Sequence, residues 1–194
     1  VKTEISSNIK GFLFCGDNGI SVKDGNWRSR DSSTFLRERL MSNKHTIHST
    51  HHHYGWNHSF LPAMTVAPGD SVEFATIDAS GGQLTVDSSV ADVAALDFEK
   101  VNPVTGPVLI DGAEPGDVLK ITIESFAPSG WGWTAIIPGF GLLADQFSEP
   151  AINIWTYDKT ALTPCAYGPG GRVPLKPFCG TIGNAPAEAG THSV

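Results

Sequence analysis

Histidines give this chain its most recognisable chemistry, because six of its seven lie between positions 45 and 58. The middle of this stretch contains no glycine or proline, which favours an extended strand from His48 to Tyr54. Alternate side chains of a strand share a face, so this strand would divide its aromatic side chains between two faces. The two predicted sets are His51 with His53, and His48 with His52 and Tyr54.

Imidazoles two residues apart on a stiff strand are suitable ligands for zinc and similar ions, which need three or four ligands held in place. An exposed histidine cluster without a function has the same spacing. The spacing alone therefore leaves a metal site and an exposed cluster as alternatives.

A carboxylate follows at the end of the next predicted strand. Pro68-Gly69 is typical of a type II turn, and the strand after it alternates Val72 and Phe74 with polar residues. We expect it to end at Asp78, just before the glycine-rich sequence SGGQ. A carboxylate at such a junction can reach into a cleft, and an aspartate that caps the turn is the alternative.

A second candidate segment reads GWGWTAIIPGFGLLADQF, from position 130 to position 147. It combines aromatic residues and glycines with a single charged residue, Asp145. Glycine lets the backbone approach a ligand closely, and aromatic side chains exclude water from a cleft. Because the same composition is typical of a tightly packed corner, a site wall and a core corner both remain open.

Composition excludes several classes of function. A hydrophobic content of 40% with 17% charged residues indicates a folded globule. The net charge of −7, without a basic cluster, argues against nucleic acid or an anionic membrane as a partner. No apolar run is long enough to span a bilayer, since Pro138, Gly139 and Gly141 interrupt the best one.

The cysteines and the first residues bear on the compartment. Three cysteines do not make a disulfide framework, and we expect free thiols unless a hairpin brings Cys165 and Cys179 together. The first ten residues lack the form of a signal peptide. Because the chain begins with Val1, removal of an upstream signal stays open. We expect a soluble protein, cytoplasmic or secreted after such removal.

Turn density and alternation predict a mostly β fold, a sandwich, jelly-roll-like or barrel domain with few short helices. Two Pro-Gly-Asp turns, at 68–70 and 115–117, each precede an alternating strand. Further strands are predicted at 108–110 and 152–157. Short helices are predicted at 33–40 and within 84–100, the second capped by Asp87 or Ser88, whereas residues 172–194 are predicted to be irregular.

From about His45 to Val194 the chain resembles the acetamidase/formamidase family. Five segments carry this resemblance, in family order: THHHYGWNHSFLPAMTVAPGDSVEF, DASGGQL, NPVTGPVLIDGAEPGDVLKITI, GWGWTAIIPGFGLLADQF and RVPLKPFCGTIGNAPAE. The resemblance implies hydrolysis of short linear amides to a carboxylate and ammonia. It also implies a β-rich fold, a divalent metal, in the first instance zinc, and a homo-oligomer.

The chain departs from the family pattern at both ends. Residues 1–44 do not resemble the family's beginning, so we expect an unmatched segment at 1–44 and a family domain at 45–194. Family members also carry a later Gly-Asp-x-His-Ala segment that is absent here. The resemblance therefore implies the N-terminal portion of such an enzyme, incomplete at its C-terminus. The alternative function is a non-catalytic β module that pairs with the missing C-terminal portion.

The resemblance also assigns candidate site residues. His53 is the last histidine before the Gly-Trp of the family pattern, and we expect it to bind the metal together with Asp78. We expect Asp78 and Asp145 to be catalytic, and Trp56, Trp133 and Gly82 to contact the substrate. Cys179 is a weaker candidate nucleophile, because it lies among prolines without an obvious base.

Overall fold

A computed structural model describes residues 2–6, 12–16, 19–24, 43–161 and 163–194 of this chain. The helix expected at 33–40 lies outside these residues. The described residues form fourteen strands, a short helix α1 (Val90–Ala94) and a 3₁₀ turn (Phe98–Lys100). The strands are β1 (Lys2–Ser6), β2 (Phe12–Gly16), β3 (Gly19–Asp24), β4 (Lys44–Ile47), β5 (His52–His53), β6 (Met64–Val66), β7 (Ser71–Phe74), β8 (Val104–Ile110), β9 (Val118–Ala127), β10 (Trp131–Ile136), β11 (Ala151–Thr156), β12 (Cys165–Tyr167), β13 (Gly171–Val173) and β14 (Thr181–Asn184).

Most strands belong to two larger sheets. The first sheet has the order β1-β9-β3-β7-β4, and only β4 and β7 in it run parallel. The second sheet has the order β14-β2-β8, and β5 and β6 share the remaining edge of β8. β10 pairs with β11, and β12 with β13, as separate hairpins. The prediction of a mostly β chain with little helix is confirmed.

One apolar core joins the two sheets. The alternation predicted along β7 and β9 is confirmed, because Val72, Phe74, Leu119 and Ile121 are all buried. Phe74 is 0% exposed. The full cluster contains five side chains from the first sheet and three from the second: Ile47, Val72, Phe74, Leu119 and Ile121, with Val66, Val108 and Ile110.

The two Pro-Gly-Asp turns have the same geometry. In the first, the Asp70 carboxylate accepts a hydrogen bond from the backbone N–H of Ala67, at 3.2 Å. In the second, the Asp117 carboxylate accepts one from the backbone N–H of Glu114, at 3.0 Å. Gly69 and Gly116 have φ of 95° and 98°, which glycine adopts without strain. The turns introduce β7 and β9, which flank β3 in the first sheet.

Asp70 also connects the turn to the segment before β4. Its carboxylate is buried, and it accepts hydrogen bonds from the backbone N–H of Asn43 at 2.9 Å and from Nε2 of His45 at 2.7 Å. Burial alone would raise the pKa of Asp70, but the hydrogen bonds from Asn43, His45 and Ala67 outweigh burial and lower the pKa. The ionised carboxylate therefore stabilises the folded chain.

We expect Asp70→Asn to lower the free energy of unfolding at pH 7 by about 2 kcal/mol, because an amide nitrogen then faces buried donors. The folded pKa lies below the ordinary value of 3.8, so the contribution is present above that pH and is lost as the pH falls through the folded pKa. Urea denaturation between pH 3 and pH 7 measures both effects. Asp117→Asn, in the more exposed second turn, is the matched control, and an equal loss in both variants would contradict the assignment.

Other predicted elements differ from the observed ones. Ser89, not Asp87 or Ser88, caps α1, because the Asp92 carboxylate accepts from both the N–H and the hydroxyl of Ser89, at 2.7 and 2.8 Å. The predicted irregularity of residues 172–194 is wrong at β14, which pairs with β2 from the other end of the chain. Cys165 is a buried thiol, and it does not form a disulfide with Cys179.

The segment before residue 44 takes part in both sheets. β3 lies between β9 and β7, and β2 lies between β14 and β8. The domain boundary expected at residue 44 stays a prediction. Among the described residues, none of the helices has the length and apolar character to cross a membrane.

Candidate active site

The histidine stretch forms a turn followed by a very short strand. The N–H of His51 donates to the carbonyl of His48, at 2.9 Å, so the strand predicted from position 48 is wrong in its length. Only His52 and His53 form β5, opposite Thr105 and Val104. The strand is short because β6 occupies the rest of that edge of β8. The predicted division of side chains between the two faces of a strand therefore applies only to His52 and His53.

Backbone carbonyls orient three of the imidazoles. Nδ1 of His52 lies 2.7 Å from the carbonyl oxygen of Ser49, and Nδ1 of His53 lies 2.8 Å from that of Gly55. Nδ1 of His58 lies 3.0 Å from the carbonyl of Pro186. A carbonyl oxygen only accepts, so Nδ1 carries the hydrogen in each ring. The neutral rings therefore present the lone pair of Nε2, which is the form that binds a metal ion or accepts a proton.

His53 lies in a partly apolar environment. Its ring centroid is 4.7 Å from that of Phe60, and the side chain is half-buried. Burial lowers the pKa of His53, the hydrogen bond to Gly55 acts in the opposite direction, and the charge of His52 adds to the lowering. His53 is thus held in its neutral form near neutral pH, as a metal ligand must be.

Asp78 is held by three donors that all reach one oxygen. Its Oδ1 accepts from the backbone N–H of Ser80 at 2.7 Å, from the hydroxyl of Ser80 at 2.5 Å and from Nε1 of Trp133 at 3.3 Å. Ser80 is 0% exposed, and its hydroxyl accepts from the N–H of Leu84 at 3.0 Å. The turn-cap interpretation of Asp78 is therefore correct for Oδ1, while Oδ2 is the oxygen available to a further donor.

A glycine loop connects Asp78 to the histidine stretch. Gly81 has φ of 72°, and a Cβ there would collide with the carbonyl oxygen of Lys100 and lie 3.8 Å from the hydroxyl of Tyr54. The Tyr54 ring packs edge-on against His52, with centroids 5.6 Å apart. Contacts therefore run from His52 through Tyr54 to the loop that carries Asp78.

Trp56 belongs to a small second core. It packs, with Phe60, against the fully buried Val104 and Ala185. Its backbone forms two hydrogen bonds with His192, at 2.8 and 2.9 Å, as an isolated antiparallel bridge. No local sequence pattern predicts that residues near 192 dock on the Gly-Trp turn, because this contact joins distant parts of the chain. His192 is thus a site neighbour that sequence reasoning missed.

The structure brings together only some of the predicted site residues. Asp78 and Trp133 are in contact, and Gly82 lies two residues beyond the buried Ser80. Asp145 lies exposed on the loop between β10 and β11. Within the described ranges, there is no group of three His, Cys, Asp or Glu side chains arranged to hold a metal ion.

Known proteins resemble this chain over most of its length. A sequence model of the acetamidase/formamidase family matches residues 40–193. The formamidase of Methylophilus methylotrophus is 35% identical over 112 residues, which are 54% of this chain and 27% of that protein. The acetamidase of Mycolicibacterium smegmatis is 28% identical over 148 residues, which are 70% of this chain and 36% of that protein.

A solved structure shows the same fold. The acetamidase of Bacillus halodurans superposes with a TM-score of 0.67 and 28% sequence identity. The match covers 76% of this chain and 48% of that chain. The chain thus spans about a third of the length of the curated relatives it matches, and about half of this solved structure.

Proposed function

Because this chain belongs to the acetamidase/formamidase family, we propose that it is the part of an amidohydrolase that provides a carboxylate base for hydrolysis of short linear amides. The observation that carries the proposal is the carboxylate of Asp78, whose Oδ1 is held by Ser80 and Trp133. The reaction class follows from the family, and the names of the relatives support formamide and acetamide as substrates.

The proposed role of Asp78 follows from its two oxygens. Three donors hold Oδ1 and fix the carboxylate, so Oδ2 can accept a proton from water without the side chain moving. The water oxygen then bonds to the amide carbon. As the carbon–nitrogen bond breaks, Oδ2 of Asp78 returns the proton to the leaving nitrogen, which departs as ammonia. Trp133 and the exposed Gly82 would border the bound amide.

We also propose a divalent metal site, in the first instance for zinc, that uses Nε2 of His53. The carbonyl at Nδ1 and the lowered pKa both fit His53 as a ligand. Nε2 of His192 is buried without a hydrogen-bond partner among the described residues, which is consistent with a second ligand nearby. A bound ion would polarise the amide carbonyl and lower the pKa of a coordinated water. Asp78 as a ligand, instead of as the base, is the alternative role.

A second candidate function is a non-catalytic module that needs its complement. The observation that favours it is the small share of each relative that this chain matches: 27% of the Methylophilus methylotrophus formamidase and 48% of the Bacillus halodurans acetamidase. The resemblance to the family further supports a homo-oligomer and a sandwich of the two sheets as proposals.

Ammonia release tests the proposal. We expect the purified chain to release ammonia from formamide and acetamide slowly or not at all, with or without zinc. Co-expression with the remaining part of the Methylophilus methylotrophus formamidase should produce zinc-dependent release, because that part would supply further ligands. The His53→Ala variant of the assembly should lose both bound zinc and turnover.

The outcomes separate the two candidate functions. Zinc-dependent turnover by the isolated chain would reject the proposal of a non-catalytic module and support the proposal of an amidohydrolase. An assembly that forms but never releases ammonia, with any of a series of short amides, would reject the hydrolase.

A further inference from the structure

An exposed apolar surface is formed by the loop between β10 and β11 together with Phe98 of the 3₁₀ turn, and we call it the loop face. It consists of five large side chains that are nearly half exposed or more: Phe98, Phe140, Leu142, Leu143 and Phe147. Leu142 is 101% exposed, and the ring centroids of Phe98 and Phe140 lie 5.6 Å apart. Clustered apolar exposure of this kind marks an interaction site.

Backbone hydrogen bonds hold the loop in shape. The N–H of Phe140 donates to the carbonyl of Ile137 at 3.0 Å, and the N–H of Phe147 donates to that of Leu143 at 3.1 Å. The apolar side chains therefore project from turns that already have their folded geometry. Binding of a partner therefore costs less conformational entropy in this loop than it would in an unstructured segment.

The charge around the loop face is net negative, because the exposed Lys100 is paired with Asp97, at 2.8 Å. Asp145 and Glu149 are exposed on the same loop, and Glu99 is exposed next to Phe98. The sequence from 131 to 158 contains no lysine or arginine. A second copy of this chain would bring like charges together, whereas a partner with basic residues around an apolar centre would be attracted.

We propose that the loop face binds the polypeptide that completes the acetamidase/formamidase fold, through an apolar surface of that polypeptide surrounded by lysine or arginine. More than half of the Bacillus halodurans acetamidase and of the Methylophilus methylotrophus formamidase has no counterpart in this chain. The proposed partner corresponds to that additional chain, packed against the matched part. The loop face offers it the exposed apolar area and the charge that such packing needs. This inference rests on the complementation proposed above and names its surface.

Co-purification tests the surface without any need for turnover. This chain is co-expressed with a tagged remaining part of the Methylophilus methylotrophus formamidase, as wild type, Leu142→Asp, Phe140→Asp or Leu61→Asp. Leu61 is 88% exposed outside the loop face and is the matched control. We expect the wild type and Leu61→Asp to co-purify equally, and the two loop-face variants to be recovered about tenfold less, as after loss of a central apolar contact. Far-UV circular dichroism of each variant alone verifies that it is folded.

Every outcome decides the inference. It is overturned if the wild type does not co-purify, or if the folded Leu142→Asp and Phe140→Asp variants co-purify as well as the wild type. It is also overturned if sedimentation velocity shows that the isolated chain dimerises and that only these two variants are monomeric, because the loop face would then join two copies. A complex that forms through the loop face but does not release ammonia supports this inference and rejects the hydrolase proposal.

Discussion

Replacing Asp78 with asparagine is expected to reduce ammonia release from formamide by about 10²- to 10⁴-fold, the usual contribution of a general base. The asparagine oxygen can still accept from Ser80 and Trp133, so the loop should keep its geometry. The amide nitrogen that replaces Oδ2 cannot take a proton from water. The loss should therefore appear in kcat with little change in KM, measured on the co-expressed assembly described above.

Asp145→Asn is the matched control for that experiment. Both carboxylates were candidates from the sequence, but Asp145 is exposed on the loop between β10 and β11, whereas Asp78 contacts Trp133. Because Asp145 also belongs to the acidic surroundings of the loop face, ammonia release is compared per mole of recovered assembly, and we expect Asp145→Asn to keep most of its kcat. A large loss in this variant, with normal turnover in Asp78→Asn, would reverse the assignment of the base.

Phe74→Ala is expected to lower the free energy of unfolding by about 3–5 kcal/mol, the usual cost of deleting a buried aromatic ring. Phe74 is 0% exposed and lies in the cluster to which both sheets contribute. Removal of the ring leaves a cavity that the surrounding strands cannot fill, because their hydrogen bonds fix the sheet positions. Urea denaturation followed by circular dichroism measures the change.

Val118→Ala provides the comparison, since Val118 lies in β9 but is 52% exposed. A surface change of this kind should alter the free energy of unfolding by about 0.5 kcal/mol or less. If both variants lost the same amount, the core would not lie between the two sheets at Phe74.

The sequence predicts those strands whose signal is local. β7 and β9 follow Pro-Gly turns and alternate buried with exposed positions, so that local pattern is sufficient to locate them. β5 and β14 carry no such pattern, because each exists only where a distant strand offers a free edge. His53 pairs with Val104, and Asn184 with Leu13, and periodicity does not reveal either partner.

In the candidate site, too, the features with a local sequence signal were predicted and the contacts between distant residues were not. The position of Asp78 before a glycine-rich loop was visible, and so was its alternative role as a turn cap. The hydrogen bond from Trp133 to Asp78 could not be predicted, because it joins residues 55 positions apart. The hydrogen-bonded Nδ1 atoms of His52 and His53 depend on the carbonyls of Ser49 and Gly55, and the turn at 48–51 directs the first of these. Residue types alone do not determine that turn.

The position of β2 and β3 within the sheets affects how the protein folds during its synthesis. Gly16 in β2 pairs with Thr181 in β14, and Gly19 in β3 pairs with Ala127 in β9. At ordinary ribosomal rates, roughly ten to thirty seconds separate the synthesis of Gly16 from that of Thr181. Until then β2 lacks its β14 partner, and the contact order of the sheet is high, which predicts slow folding. A chain trimmed to start at residue 40, where the family match begins, would lack β1, β2 and β3. It would expose five strand edges to aggregation: both edges of β9 and one edge each of β7, β8 and β14.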